Sequence, residues 1–200
     1  CMEIEERDAL GRLFDLDVLA PGGGKLSRED LGFPPRPCLI CGQRGKGCAS
    51  RRIHAVQELQ EKTDGILSRC FAARDRETLA AMAGRALLYE VCTTPKPGLV
   101  DRWNNGSHRD MDVFTFMDST TALLPYFKKA VEIGQETAGE PPARTFRRLR
   151  EAGLRAEKAM FCATKGVNTH KGLIFSLGCI LGAAGRLWTP EGPCREAQRV

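Results

Sequence analysis

Pro95 and Pro97, two residues apart, put a hard stop on the pattern that precedes them. Leu79, Met82, Ala83, Ala86, Leu87 and Val91 recur at helical spacing. A proline has no N–H to donate and clashes with the preceding turn, so that helix must end near Thr94. Beyond the prolines the helical period returns. Val113–Ile133 reads as a second helix, with Pro125 a candidate kink, and Phe146, Leu149, Gly153, Leu154, Glu157 and Met160 mark a third. Residues 172–184 form a fourth, apolar nearly all round, and are therefore expected to be buried. Residues 1–62 differ, with Gly-, Pro- and Arg-rich connections around one apolar, strand-like run, Leu13–Leu19. A short linker, itself compatible with helix, is expected near Glu61–Arg76.

Composition narrows the function classes. The chain has 200 residues, room for one medium domain or two small ones, and its 42% hydrophobic and 28% charged content is that of a folded chain. No apolar run reaches the roughly 18 residues a membrane span needs, so no membrane partner is expected. The N-terminus, CMEIEERD, is acidic and polar, unlike a signal peptide. A start at Cys1 followed by Met2 is expected of a fragment or a truncated gene product. A net charge of +5 with only 6% aromatic residues argues against nucleic acid. The arginines of Arg144–Arg155, interspersed with Leu, Phe and Glu, read as a solvated helix face. The nine cysteines are odd in number and mostly scattered through helical patterns, as expected of free thiols in a reducing, cytoplasmic setting.

The connections carry the chemistry. Residues 94–112, TPKPGLVDRWNNGSHRDMD, form a long non-helical segment. Such a segment in a helical domain is either functional or disordered, and Leu99, Val100, Trp103 and Met111 argue against disorder. Asp101, Asp110 and Asp112 could hold magnesium on a polyphosphate, since that ion takes one or two carboxylates and leaves the rest to water and phosphate. A second loop, residues 163–172, sets Lys165, Asn168, Thr169, His170, Lys171 and Gly172 at a helix N-terminus, a natural seat for phosphate oxygens. Lys96, Arg102, Lys165 and Lys171 could neutralise the phosphates. His108 and His170 are candidate proton-transfer groups. Asp101 and Asp110 could equally cap turns and helices while the basic residues are simply solvated.

LLYEVCTTPKPGLVDRWNNGSHRDMD and FRRLREAGLRAEKAMFCATKGVNTHKGLIFSLG resemble triphosphoribosyl-dephospho-CoA synthases, the CitG family, over residues 79–185. The resemblance implies an all-α domain. It also implies that ATP and 3′-dephospho-CoA react to give 2′-(5″-triphosphoribosyl)-3′-dephospho-CoA and adenine. A ribose 2′-hydroxyl attacks C1 of the ATP ribose, adenine leaves, and the triphosphate survives. On that reaction Lys96, Arg102, Lys165, Lys171 and the helix start at Gly172 are expected to clamp phosphates, with Asn104, Ser107, Asn168 and Thr169 as further substrate contacts. Asp110 and Asp112 are expected to hold Mg2+. Asp101 or His108 would be the base and His170 would protonate adenine. A related branch of the family serves malonate decarboxylase with the same chemistry.

GRLFDLDVLAPGGGKLSREDLGFPPRPCLICGQRGKGCASRRIHAVQEL is similar to the C-terminal part of the CitX family, which transfers that prosthetic group onto the citrate lyase acyl carrier protein. Asp15 and Asp17, two apart in a strand, would face the same way and suit metal-assisted transfer. Arg36, Arg51 and Arg52 could meet phosphates. Cys38, Cys41, Cys48 and His54 are residue types that zinc takes, but their spacing is loose and the resemblance implies no zinc, so free thiols are expected.

The two resemblances together imply a mainly α protein, a helical synthase domain (residues 63–200) behind a small α/β N-terminal remnant (residues 1–62). Both regions look truncated. The C-terminal helices should then expose apolar faces. Three activities stay open: the synthase, a holo-citrate lyase synthase acting on the carrier protein, and a non-catalytic nucleotide-binding fragment.

Overall fold

The computed structural model describes residues 2–14, 16–43, 45–190 and 192–193. The chain divides into two compact units, Cys1–Phe71 and Ala72–Val200. The helices are α1 (Met2–Arg7), α2 (Gly45–Arg51), α3 (Val56–Cys92), α4 (Val113–Glu136), α5 (Pro142–Ala163) and α6 (Lys171–Arg186). Two short antiparallel pairs complete the fold: β1 (Val18–Leu19) with β2 (Lys25–Leu26), and β3 (Trp188–Thr189) with β4 (Gly192–Pro193). The architecture is mainly α, as the periodicity predicts.

In the second unit α4 is the central helix and packs on both α5 and α6. Leu123, Phe127, Ala130 and Val131 on α4, with Met160 on α5, are fully buried. Residues 80, 83 and 87 of α3 join the same core, as do Leu149 and Ala156 of α5 and Ile174 and Leu181 of α6. Burying a side chain the size of Leu or Phe contributes about 1.5–3 kcal/mol, so this face organises the unit. Two glycines set how closely α4 and α6 approach. A Cβ on Gly134 would lie 2.1 Å from the Gly182 carbonyl oxygen, and one on Gly185 would lie 2.2 Å from that of Val131. Only a residue without a side chain fits at such a crossing.

Arg186, the last residue of α6, fastens the end of α4 to the start of α5. It donates to the Thr137 carbonyl at 2.5 Å, the Thr145 hydroxyl at 2.6 Å, and the Ala138 and Glu140 carbonyls at 3.2 and 2.8 Å. Carbonyls left open past a helix end take a cation well. Tyr126 donates to the Ile174 carbonyl at 2.9 Å, and burial, with the nearby Cys179, pushes its hydroxyl up to about 12.

Three expectations need correction. The fourth helix is not buried all round: Phe175 and Ile180 on α6 are exposed, as are Phe146 and Leu154 on α5. The burial comes from one face that includes Gly178, Gly182 and Gly185. The exposed apolar faces of the C-terminal helices are as expected. The helix ending before Pro95 starts far upstream of Leu79, at Val56, because residues 61–76 are helical throughout. The strand expected over Leu13–Leu19 shrinks to Val18–Leu19. Gly11–Leu13 turn as a 3-10 helix, and the Leu16 N–H is held by the Glu5 carboxylate at 3.2 Å.

The first unit is built on polar contacts. Glu5 is 6% exposed and lies 3.3 Å from Arg28 and 3.5 Å from Arg36. Arg36 also donates to the carbonyls of Phe14 and Gly11 at 2.6 and 2.9 Å. The guanidinium expected to meet phosphate is therefore engaged in holding the chain together. No helix among the described residues is long and apolar enough to cross a membrane.

Candidate functional site

The loop after α3 is organised by one carboxylate. Asp101 is 2% exposed. Its Oδ1 accepts the Trp103 and Asn104 N–H groups at 2.8 and 2.9 Å and the Asn104 side-chain amide at 3.3 Å. Its Oδ2 accepts the Thr94 hydroxyl at 2.8 Å and the Lys96 N–H at 3.2 Å. The Trp103 N–H and the Thr94 hydroxyl, helped by the N–H groups of Asn104 and Lys96, hold the Asp101 carboxyl down at about 2. Asn104 returns a bond, its Oδ1 accepting the Gly106 N–H at 2.8 Å, and the Ser107 N–H reaches the Gly98 carbonyl at 3.1 Å. The Thr94–Pro95 peptide within this loop is cis.

This arrangement delivers Lys96. Its side chain is 14% exposed and its Nζ donates to Glu90 near the end of α3 at 2.8 Å. Arg102 lies over the Trp103 ring, 5.6 Å from its centroid, and both residues are exposed. At the far end of the loop His108 Nδ1 stands 4.0 Å from the exposed Asp110. Asp112 is the N-cap of α4 in a reciprocal capping box with Thr115, the Thr115 N–H reaching Oδ1 at 2.8 Å. The Thr115 N–H and hydroxyl hold the Asp112 carboxyl below the usual range. The cap bonds engage Oδ1, which leaves Oδ2 as the oxygen for another ligand.

The second loop meets the same region. His170 is 7% exposed, and its Nδ1 lies 2.7 Å from the Ser119 hydroxyl on α4. The Thr169 hydroxyl donates to Ser119 at 2.7 Å, which joins Thr169, Ser119 and His170 in one hydrogen-bonded chain. Phe116 packs edge-on against the ring, centroids 5.1 Å apart. Burial pushes the His170 pKa down, and the Glu90 charge opposes that only in part, so the ring is neutral at pH 7. Lys96, Glu90, His170 and Thr169 therefore converge from α3, both loops and the start of α6.

The remaining predicted residues are placed as follows. Lys165 is exposed with φ 53°, in the left-handed region. Asn168 Oδ1 accepts the Lys171 N–H at 3.3 Å, and Lys171 Nζ pairs with Glu157 at 2.7 Å. Gly172 is the second residue of α6. Asp17 precedes β1 and is paired with Lys25 at 2.5 Å, and Asp15 lies outside the described residues. A groove of about 450 Å³ is lined mainly by apolar residues, Phe146, Leu149, Leu154, Ile174 and Phe175, with Arg150 and Lys171 also on its wall.

Sequence reasoning missed Ser119, Glu90 and Thr94. Ser119 did leave a signal: it sits four residues before Leu123, on the α4 face that is otherwise core. A hydroxyl there needs a buried partner. Glu90 and Thr94 carry no comparable mark.

The helical unit with these two loops is that of a transferase family. Residues 76–199 match ATP:dephospho-CoA triphosphoribosyl transferase (CitG), and the chain belongs to that family. Residues 1–70 match apo-citrate lyase phosphoribosyl-dephospho-CoA transferase (CitX), also a transferase family. Protein CitXG of Leuconostoc mesenteroides subsp. cremoris is 47% identical over 188 residues, covering 90% of this chain and 40% of that protein. Protein CitXG of Haemophilus influenzae is 44% identical over 186 residues, 93% of this chain and 39% of that one. A probable 2-(5″-triphosphoribosyl)-3′-dephosphocoenzyme-A synthase of Streptococcus pyogenes is 54% identical over 108 residues, 54% of this chain and 37% of its own length. The chain thus spans about two fifths of the first two relatives. No solved structure matches it.

Proposed function

We propose that the helical region performs the synthase reaction, triphosphoribosyl transfer from ATP to 3′-dephospho-CoA with release of adenine, for the citrate lyase prosthetic group. The observation that carries this reading is that the charge of Glu90, which holds Lys96, acts on His170 in the Thr169–Ser119–His170 chain, within the region that matches the family. The 2′-hydroxyl oxygen bonds to C1 of the ATP ribose as the C1–N9 bond breaks. The hydroxyl proton goes to His108, and adenine takes a proton from solvent as it leaves. Asp101 is a positioning residue in this scheme. Five donors occupy its oxygens and its pKa of about 2 makes it a poor proton acceptor. His170, kept neutral by burial, supports the departing adenine by hydrogen bonding rather than as an imidazolium acid.

Arg102, Lys165 and the N–H groups at the start of α6 hold the surviving triphosphate. Lys96 and Lys171, each already paired with a glutamate, set the edges of that clamp, and Asn104, Ser107, Asn168 and Thr169 supply polar contacts. Asp110 and Asp112 fit magnesium, since both offer hard carboxylate oxygen and Asp112 keeps Oδ2 outside its cap. The ion would spread phosphate charge. A cytoplasmic setting suits ATP and dephospho-CoA as substrates and the free thiols among the described residues.

The test is adenine release from ATP and 3′-dephospho-CoA with magnesium, on protein shown to be helical by circular dichroism. Adenine appearing only with both substrates supports the synthase. A folded sample that binds ATP without turnover overturns it in favour of nucleotide binding alone. The match of residues 1–70 favours one second reading, a part in transfer to the citrate lyase acyl carrier protein. Diphosphate release dependent on the apo-carrier is its signature, and a sample that releases none in the carrier's presence excludes it.

A further inference from the structure

We propose that Cys38, Cys41, Cys48 and His54 form a closed structural zinc site in the N-terminal unit. The inference rests on none of the synthase chemistry and departs from the expectation of free thiols. The loose sequence spacing concealed a tight spatial cluster: the four ligand atoms lie within 4.8 Å of one another. With Zn–S near 2.3 Å and Zn–N near 2.0–2.1 Å, ligand atoms of tetrahedral zinc stand about 3.5–3.8 Å apart. The Cys41 and Cys48 sulfurs are 3.6 Å apart. A disulfide would need about 2.05 Å, so these sulfurs have the spacing of shared ligands and not of a bridge.

The backbone builds this cluster from both sides. Cys38 and Cys41 flank a tight turn in which the Gly42 N–H donates to the Cys38 carbonyl at 3.1 Å, with Gly42 at φ 74°. Within it the Ile40 N–H donates to Cys38 Sγ at 3.4 Å, the kind of bond that supports a sulfur carrying negative charge. Cys48 lies on α2 and is 7% exposed. The chain then reverses at Arg52, φ 50°, and the Ile53 N–H returns to the Cys48 carbonyl at 3.2 Å. That reversal brings His54 back beside Cys48.

His54 supplies an independent observation. Its Nε2 is buried and has no hydrogen-bond partner among the described residues. A buried polar atom left so costs about 1–3 kcal/mol, a penalty that a metal bond removes. Its other nitrogen, Nδ1, stands 3.9 Å from the Glu58 carboxylate. A carboxylate behind the imidazole is the usual means of orienting a zinc-bound histidine. Three sulfurs and one imidazole leave no open position, so the role is structural and the donor softness selects zinc over magnesium or calcium. A unit that leaves Ile4, Leu19, Leu31, Phe33 and Ile53 exposed has little apolar core to stand on, and small units of that kind are commonly held by a metal.

The full chain, purified under reducing conditions, is expected to carry one zinc per chain by elemental analysis. Exchange for cobalt should give the intense visible bands of a tetrahedral site and sulfur-to-metal charge transfer in the near ultraviolet. His54→Ala and Cys48→Ser should each lower metal content at least tenfold. His54→Cys restores a fourth ligand, and should retain cobalt with a spectrum shifted towards four thiolates, which keeps the test decisive if either loss variant folds poorly. Folded wild-type protein that takes up neither zinc nor cobalt overturns the proposal. So does metal binding that survives both loss variants.

Discussion

The second unit buries Leu123, Phe127, Val131 and Met160 completely, whereas the first leaves Ile4, Leu19, Leu31 and Phe33 exposed and buries Glu5 instead. One is held by helix faces packed to the point where only glycine fits, at Gly134 and Gly185. The other is held by a carboxylate shared between Arg28 and Arg36, and by the cysteine–histidine cluster. The difference shows two solutions to the entropy of ordering a chain. Apolar area suffices where helices are long, and polar and metal staples take over where they are short.

The largest effect that would test this contrast is Phe127→Ala. It should cost the helical unit about 3–5 kcal/mol, the usual range for emptying a buried aromatic site. Urea unfolding followed at the helical band reads the loss, and metal content should not change. A cost under about 1 kcal/mol would mean that packing at α4 is not what holds the unit. Next is Asp101→Asn, which keeps the shape but discards the charge that five donors converge on. Adenine release should fall about a hundredfold, the loss expected when a catalytic loop shifts by about 1 Å. The melting transition should fall as well, since those donors lose a charged partner, so turnover is compared at a temperature where circular dichroism shows the variant folded. A variant with near-normal turnover removes Asp101 from the site.

Glu5→Gln tests the other half. It should destabilise the N-terminal unit by about 1–3 kcal/mol, the range for disturbing a buried charged partner, and speed proteolysis there while leaving the helical unit resistant. Smaller still is the cap of α4. Asp112→Ala should cost about 1 kcal/mol and Asp112→Asn only a few tenths, because asparagine also caps. Asparagine is a weaker ligand for a hard cation, so a raised magnesium requirement in Asp112→Asn marks a metal role separate from the cap.

The dependence on pH sharpens the comparison further. The Asp101 pKa is lowered from 3.8 to about 2, so its contribution is fully present above pH 4 and is lost as pH falls towards 2. His170 is lowered from 6.5 by burial, so the unfolded chain takes up its proton first. Stability from that group is present above pH 6.5 and declines below it. Replacing His170 with Gln should flatten that part of the pH–stability curve. A curve that keeps its slope would assign the titration elsewhere.

The helices were legible because Leu79, Ala83 and Leu87 and their like repeat with the period of the structure they form. The ends of α3 at Cys92 and of α5 at Ala163 were readable from Pro95 and from the polar run after Ala163. Both loops were visible as polar connections between helices. Less could be read of what each side chain does there. Asp101 gives its lone pairs to its own loop, and Lys171 pairs with Glu157, contacts set by tertiary placement. Ser119 could be found only by asking why a hydroxyl stands on a core face. Glu58 behind His54 needed the turn at Arg52, which no periodicity announces.

Arg186 has a consequence for how this unit tolerates being cut. Its guanidinium touches both sides of the α4–α5 connection, with Thr137 and Ala138 before the exposed Gly139 and Glu140 and Thr145 after it. The covalent link at Gly139 is therefore redundant for position. A nick there leaves both new ends tied to the same residue, and two separately made segments divided at that glycine retain the information needed to reassemble.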